Sequence, residues 1–132
     1  MKGVIIMNKK KILTLLLSAS IIGTGVNIFP MKTLADWRSE NNTWTYIENG
    51  QRAIGWKLYD NTWYYFNDAG IMQTGWLKDN ETWYYLSESG AMKIGWVKDN
   101  GAWYYLSESG AMKTGWVKDN GAWYYLSESG AM

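Results

Sequence analysis

The chain has 132 residues, with 13 lysines and arginines against 12 acids, no cysteine and no histidine, yet ten tryptophans and ten tyrosines. The missing His and Cys exclude Cys–His and Ser–His nucleophilic devices and ordinary zinc sites, and no disulfide can staple the fold. All the tryptophans, tyrosines and acids follow Ala35, so the net charge of +1 averages two unlike segments.

The first segment is a leader. Lys9, Lys10 and Lys11 precede an apolar run over residues 12–23. A basic start, an apolar stretch of about 7–15 residues and a small-residue cleavage site make a secretory signal peptide. Thr33-Leu34-Ala35 is the candidate cleavage site, which assigns residues 1–35 to the leader and makes Asp36 the mature N-terminus. Met7 is an equally good start, because MNKKK is a usual opening. The apolar run falls short of the roughly 20 residues a spanning helix needs, so an exported protein is expected, not inserted in the membrane after cleavage. Removing residues 1–35 takes five lysines and no acid, leaving 97 residues at a net charge of −4. A mildly acidic chain without a basic cluster is a poor partner for nucleic acid or anionic lipid.

The second segment is one unit written repeatedly. Residues 95–112 read GWVKDNGAWYYLSESGAM, and residues 115–132 repeat them letter for letter. The same frame appears at 75–92 (GWLKDNETWYYLSESGAM) and at 55–72 (GWKLYDNTWYYFNDAGIM). A period of 20 means a stacked array in which function sits between units. Residues 36–54 form a degenerate first copy: Trp37 and Trp44 keep the seven-residue spacing of Trp56 and Trp63, but Trp44-Thr45-Tyr46 replaces Trp-Tyr-Tyr. We read it as a capping repeat, followed by units at 55–74, 75–94, 95–114 and 115–132. The array thus spans 36–132.

Within a unit, Gly-Trp-Val-Lys can extend, and Ala102-Trp103-Tyr104-Tyr105-Leu106 is rich in strand-favouring aromatics. Asn100-Gly101 between them supplies the positive φ angles of a type I′ hairpin turn. Asn61-Thr62 and Asn80-Glu81 at the corresponding places predict looser turns. The polar Ser107-Glu108-Ser109-Gly110 ends the hairpin at a glycine suited to a left-handed corner. A lone hairpin is marginal in water, so the units must stack. The expected fold is all-β, a solenoid of stacked β-hairpins with one hairpin per repeat. Alternation puts Tyr104 and Leu106 on the inner face, and Trp103 and Tyr105 on the ligand face. By the same rule Tyr64, Tyr84 and Tyr124 belong to the interior. Met92 and Met112 can fill gaps between hairpins with an adaptable thioether. Lys78, Lys98, Asp79, Asp99 and the Ser-Glu-Ser loops read as solvated surface.

Gly-Trp, six residues, Trp-Tyr-Tyr, then Gly-x-Met-x-x-Gly-Trp resembles the choline-binding, or cell-wall-binding, repeat of Gram-positive bacteria and their phages. The resemblance covers residues 37–132. It implies a superhelical hairpin stack that docks choline groups of wall teichoic and lipoteichoic acids between consecutive hairpins. Each cage would take the two tryptophans of one repeat and a tyrosine of the next. Carried across, these are Trp56, Trp63 and Tyr85; Trp76, Trp83 and Tyr105; and Trp96, Trp103 and Tyr125. Met92, Met112 and Met132 resemble the family's hydrophobic fourth wall. The first interface would offer Trp37, Trp44 and Tyr65, at a spacing one residue shorter. Trp116 and Trp123 form half a cage, which a second copy of the chain could complete.

The chemistry of the ligand agrees with that resemblance. A quaternary ammonium carries charge but no N–H, so hydrogen-bond acceptors cannot grip it, whereas electron-rich ring faces can. Each ring contributes about 0.5–2 kcal/mol, so single sites are weak and a row of them on a polymer gains by avidity. Two tryptophans in every copy exceed what packing requires. Catalysis is disfavoured, because the carboxylates sit in turns and loops where nothing raises their pKa. Calcium is disfavoured by the absence of dense Asp-Gly runs, and no cofactor is expected. The remaining alternatives are a glycan-binding array, similar to glucan-binding or clostridial toxin repeats, and a purely structural spacer.

Overall fold

A computed structural model describes residues 35–132; apart from Ala35, the leader assigned to residues 1–35 lies outside the described residues. Strands β1 (Asp36–Glu40), β2 (Thr43–Glu48) and β3 (Gln51–Arg52) form a small three-stranded sheet. Four two-stranded antiparallel hairpins follow: β4 (Gly55–Tyr59) with β5 (Thr62–Phe66), β6 (Gly75–Asp79) with β7 (Thr82–Leu86), β8 (Gly95–Asp99) with β9 (Ala102–Leu106), and β10 (Gly115–Asp119) with β11 (Ala122–Leu126). The described residues contain no helix, and no sheet closes on itself.

The register is the same in every full hairpin. Trp76 faces Tyr85 and Lys78 faces Trp83 in β6–β7, as Trp96 faces Tyr105 and Lys98 faces Trp103 in β8–β9. All four turns are the same two-residue type. Asn100 and Gly101 adopt φ of 46° and 84°, and Asn80 and Glu81 take 45° and 63°. In the earlier copy the turn pair is Asp60-Asn61, at 49° and 58°, and Thr62 begins the strand. The looser turns expected in these two copies are therefore absent. Strand register outweighs the local preference of Glu81, which is held left-handed at a steric cost. Its carboxylate meets Lys78 Nζ at 2.7 Å, an ion pair that lowers the Glu81 pKa through the lysine's hydrogen bond and charge.

Stacking is carried by the loops. After each hairpin the chain turns back, so that the Met112 N–H donates to the Trp83 carbonyl of the preceding hairpin and the Lys113 N–H to the Tyr105 carbonyl of its own, both at 2.8 Å. The Met72 N–H reaches Trp44, the Met92 N–H reaches Trp63 and the Met132 N–H reaches Trp103 in the same manner. A backbone stitch therefore ties every hairpin to the one before it, satisfying groups that an isolated hairpin would leave open.

The core is a column rather than a ball. Phe66, Leu86, Leu106 and Leu126, one per hairpin, are the fully buried large side chains. Burying each stabilises the fold by about 1.5–3 kcal/mol. Between them run the methionines. A Cβ built on Gly110 would lie 2.4 Å from Met92 Sδ, and one on Gly130 the same distance from Met112 Sδ. Both glycines sit at φ above +80°, so the loop glycine is required twice: by its backbone conformation and by the thioether packed on it. The gap-filling expected of Met92 and Met112 is what the structure shows.

The first interface is packed differently. Tyr59 holds the place taken by Asp79, Asp99 and Asp119 in later copies. Its ring stacks at 3.7 Å, centroid to centroid, on Tyr46 and lies 6.0 Å from Trp37. Ala53, Phe66 and Met72 form the buried centre here, ringed by Trp37, Trp44, Tyr46, Tyr59 and Tyr64. Burial raises the Tyr59 phenol pKa, with Glu48 and Tyr46 adding to the effect. Aromatic mass has filled this interface.

Candidate functional site

Two of the later interfaces leave a hollow at the same place. One, of about 260 Å³, is lined by Trp76, Trp83, Tyr104, Met112 and Ser129. A second of the same volume is lined by Trp96, Trp103, Tyr124 and Met132. Trp76 and Trp83 come from the two strands of one hairpin and stand edge to face, 6.4 Å apart at 86°. Tyr104 arrives from the next hairpin, 4.7 Å from Trp76. The stitch between the Met112 N–H and the Trp83 carbonyl brings the methionine to the same wall. Trp56, Trp63 and Tyr84 repeat the ring geometry, with Trp56 6.5 Å from Trp63 and 4.9 Å from Tyr84. Met92 is stitched to Trp63. These are sets of π faces and thioethers on an open surface. Trp83 and Trp103 remain 40% exposed.

The tyrosines differ from the expected set. Alternation assigned Tyr85, Tyr105 and Tyr125 to the hollows; the geometry places Tyr84, Tyr104 and Tyr124 there. Tyr85 instead packs on Trp76 within its own hairpin, at 5.0 Å, and Tyr105 on Trp96 at 4.9 Å. Tyr125 packs on Trp116 at 5.2 Å. The physical reason is that the hollow opens between hairpins. The tyrosine on the same strand face as buried Leu106, turned towards the preceding hairpin, is the one that reaches it. Tyr65 likewise pairs with Trp56, while Tyr64 is the residue beside Trp37. The expected tryptophan pairs and methionines are brought together with these inner tyrosines.

Asp79 and Asp99 read as solvated surface in the sequence, and Asp119 has no role there; the structure gives all three a specific contact. Trp56 Nε1 donates to Asp79 Oδ2 at 3.1 Å, Trp76 Nε1 to Asp99 Oδ2 at 3.1 Å and Trp96 Nε1 to Asp119 Oδ2 at 3.0 Å. Each carboxylate comes from the hairpin after its tryptophan. The available signal was a fixed offset of 23 residues between the two, repeated three times. Tyr85, which packs on Trp76, has its pKa raised by burial first and then by Asp99 and Glu88. Among the described residues, no group of His, Cys, Asp and Glu side chains could hold a metal ion.

The family model for the choline-binding repeat matches residues 53–95 and 93–132. The chain belongs to the choline-binding repeat family. Its hairpin stack is similar to choline binding protein F from Streptococcus pneumoniae, a structure determined in the presence of a peptidoglycan analogue. There the TM-score is 0.70 at 48% identity, covering 74% of this chain and 34% of that one. It is also similar to the multimodular pneumococcal cell wall endolysin from phage Cp-1 complexed with choline, with a TM-score of 0.65 at 43% identity over 74% of this chain and 30% of that one. The choline binding domain of Spr1274 in Streptococcus pneumoniae gives 0.51 at 35% identity, over 59% of this chain and 99% of the domain. This choline-binding repeat chain thus spans about a third of the length of the first two. No curated protein matches it.

Proposed function

We propose that the protein is a non-catalytic module of the cell wall or cell surface that holds choline groups of teichoic or lipoteichoic acids between consecutive hairpins. The observation that carries this reading is the recurrent hollow formed by two tryptophans, the inner tyrosine of the next hairpin and a methionine. Its cages are Trp56, Trp63, Tyr84 and Met92; Trp76, Trp83, Tyr104 and Met112; and Trp96, Trp103, Tyr124 and Met132. In each, a trimethylammonium group meets ring faces without having to satisfy a hydrogen bond, the demand such a cation cannot meet. Tyr85, Tyr105 and Tyr125 act from behind, each bracing the first tryptophan of its own hairpin. The open face of the last hairpin, where Trp116 is 67% exposed, is suited to a second copy or a further repeat.

Weak cages in a row suit a reversible anchor. A polymer bearing many cholines engages several at once, and release from one leaves the others holding. The filled first interface acts as a cap and holds no ligand. On a tertiary-amine resin that mimics choline, the protein is expected to bind and to elute with free choline but not with glucan. Elution by glucan alone would replace the choline reading with a glycan-binding one. Retention by neither matrix would reduce the array to a spacer.

A further inference from the structure

We infer that Asp79, Asp99 and Asp119 are positioning and charge-selecting residues of the three cages: each fixes a tryptophan by its indole N–H and supplies the fixed counter-charge that makes the hollow prefer a cation to a neutral group of the same shape. The inference rests on the cage reading above and assigns its selectivity to residues outside the ring set.

Three observations carry it. The bond recurs at all three later interfaces with the same atoms and within 0.1 Å of the same length. Among the described residues, no lysine or arginine lies within salt-bridge distance of any of the three aspartates, although Lys98 and Lys118 sit near Trp103 and Trp123. The half-buried carboxylates are held by neutral donors instead: the indole and, for Asp99 and Asp119, Asn100 and Asn120 at 3.2 and 3.3 Å. Their negative charge is therefore left to act on the hollow. Finally, the chain contains its own control. Where Tyr59 replaces the aspartate, the interface is filled with aromatic rings.

The physics is simple. A carboxylate accepting from an indole N–H polarises the ring towards its π face, which strengthens its hold on a cation. Its charge also acts directly through a partly desolvated path, where screening is weaker than in bulk water. Both effects act on a quaternary ammonium and neither acts on its carbon isostere. Ring contact and apolar burial serve the two ligands alike.

The test uses choline and 3,3-dimethylbutan-1-ol, in which carbon replaces the ammonium nitrogen. Asp79→Asn, Asp99→Asn and Asp119→Asn are combined in the full chain. Asparagine keeps a carbonyl to accept the indole proton while removing the charge and turning the other oxygen into an amide donor. Choline affinity per site is expected to fall by about 3–10-fold, while binding of the neutral isostere stays within twofold. The corresponding triple leucine variant loses the anchor as well, so both ligands should weaken and the near-UV circular dichroism of the tryptophans should change. An unchanged ratio of choline to isostere in the asparagine variant, with choline still bound by the unsubstituted protein, overturns the selector and leaves the cages standing. Failure of the unsubstituted protein to bind choline overturns the cage reading and the selector together.

Discussion

Replacing Leu106 by alanine is expected to destabilise the array by about 2–5 kcal/mol. Leu106 is 1% exposed, and it pairs with Met112 across the loop that stitches its hairpin to the one before. Its removal opens a cavity at a place where the backbone, tied at Met112 and Lys113, has little freedom to collapse. A domain of this size has roughly 5–15 kcal/mol of stability in all. Because repeat units contact only their neighbours, the loss concentrates at the interfaces flanking β8–β9 and weakens coupling between the array's two ends. Thermal unfolding followed by near-UV circular dichroism should therefore become broader as well as lower in midpoint. Leu126→Ala removes an equally buried side chain at the last hairpin and should lower the midpoint while leaving the rest of the array cooperative. A single sharp transition for both, displaced equally, would show that the hairpins fold as one unit rather than as a column.

The second large effect concerns the ligand. In a chain whose other two cages are disabled by Trp63→Ala and Trp103→Ala, the remaining site is bounded by Trp76, Trp83, Tyr104 and Met112. Tyr104→Leu keeps bulk at the wall but removes its π face. Choline affinity should drop by about 2–30-fold, equivalent to about 0.5–2 kcal/mol. Tyr105→Leu in the same background should change it less than twofold, because that ring packs on Trp96 in its own hairpin. Isothermal titration of the two variants decides between the tyrosines. The reverse order would place the cation on the other face of the strand.

That distinction marks where the sequence stopped being legible. The 20-residue period, the strands around Trp-Tyr-Tyr and the filling of gaps between hairpins by methionine could all be read, because each depends on chemistry within one unit or between identical neighbours. Trp-Tyr-Tyr places an aromatic ring on both strand faces, so alternation separates the two tyrosines without saying which one borders the ligand. Inner and ligand-facing are not opposites in this stack. The hollow is part of the interface itself, so the inward Tyr104 lines it alongside Trp76 and Trp83. Asp99 was hidden for a related reason. In the sequence it is a charge beside a turn, and only the stack brings it to an indole from the preceding repeat. Glu81 illustrates the opposite failure, in which a poor local residue was given too much weight against the register imposed by ten paired strand residues.

Tyr59 fills the first interface with aromatic packing. One aromatic ring in place of an aspartate joins Trp37, Tyr46 and Tyr64 in a packed cluster. The filled first interface and the later ones differ at the residue ending the first strand, as well as in the third strand and the Trp44-Thr45-Tyr46 of the first copy.

The most direct measurement is the number of cholines bound by the purified protein, read by equilibrium titration alongside tryptophan fluorescence and near-UV circular dichroism. Saturation is expected at three per chain, with affinities on the order of millimolar, falling to two when Trp83→Ala removes the central cage. A folded array that gives no saturable response to choline would contradict the cage reading.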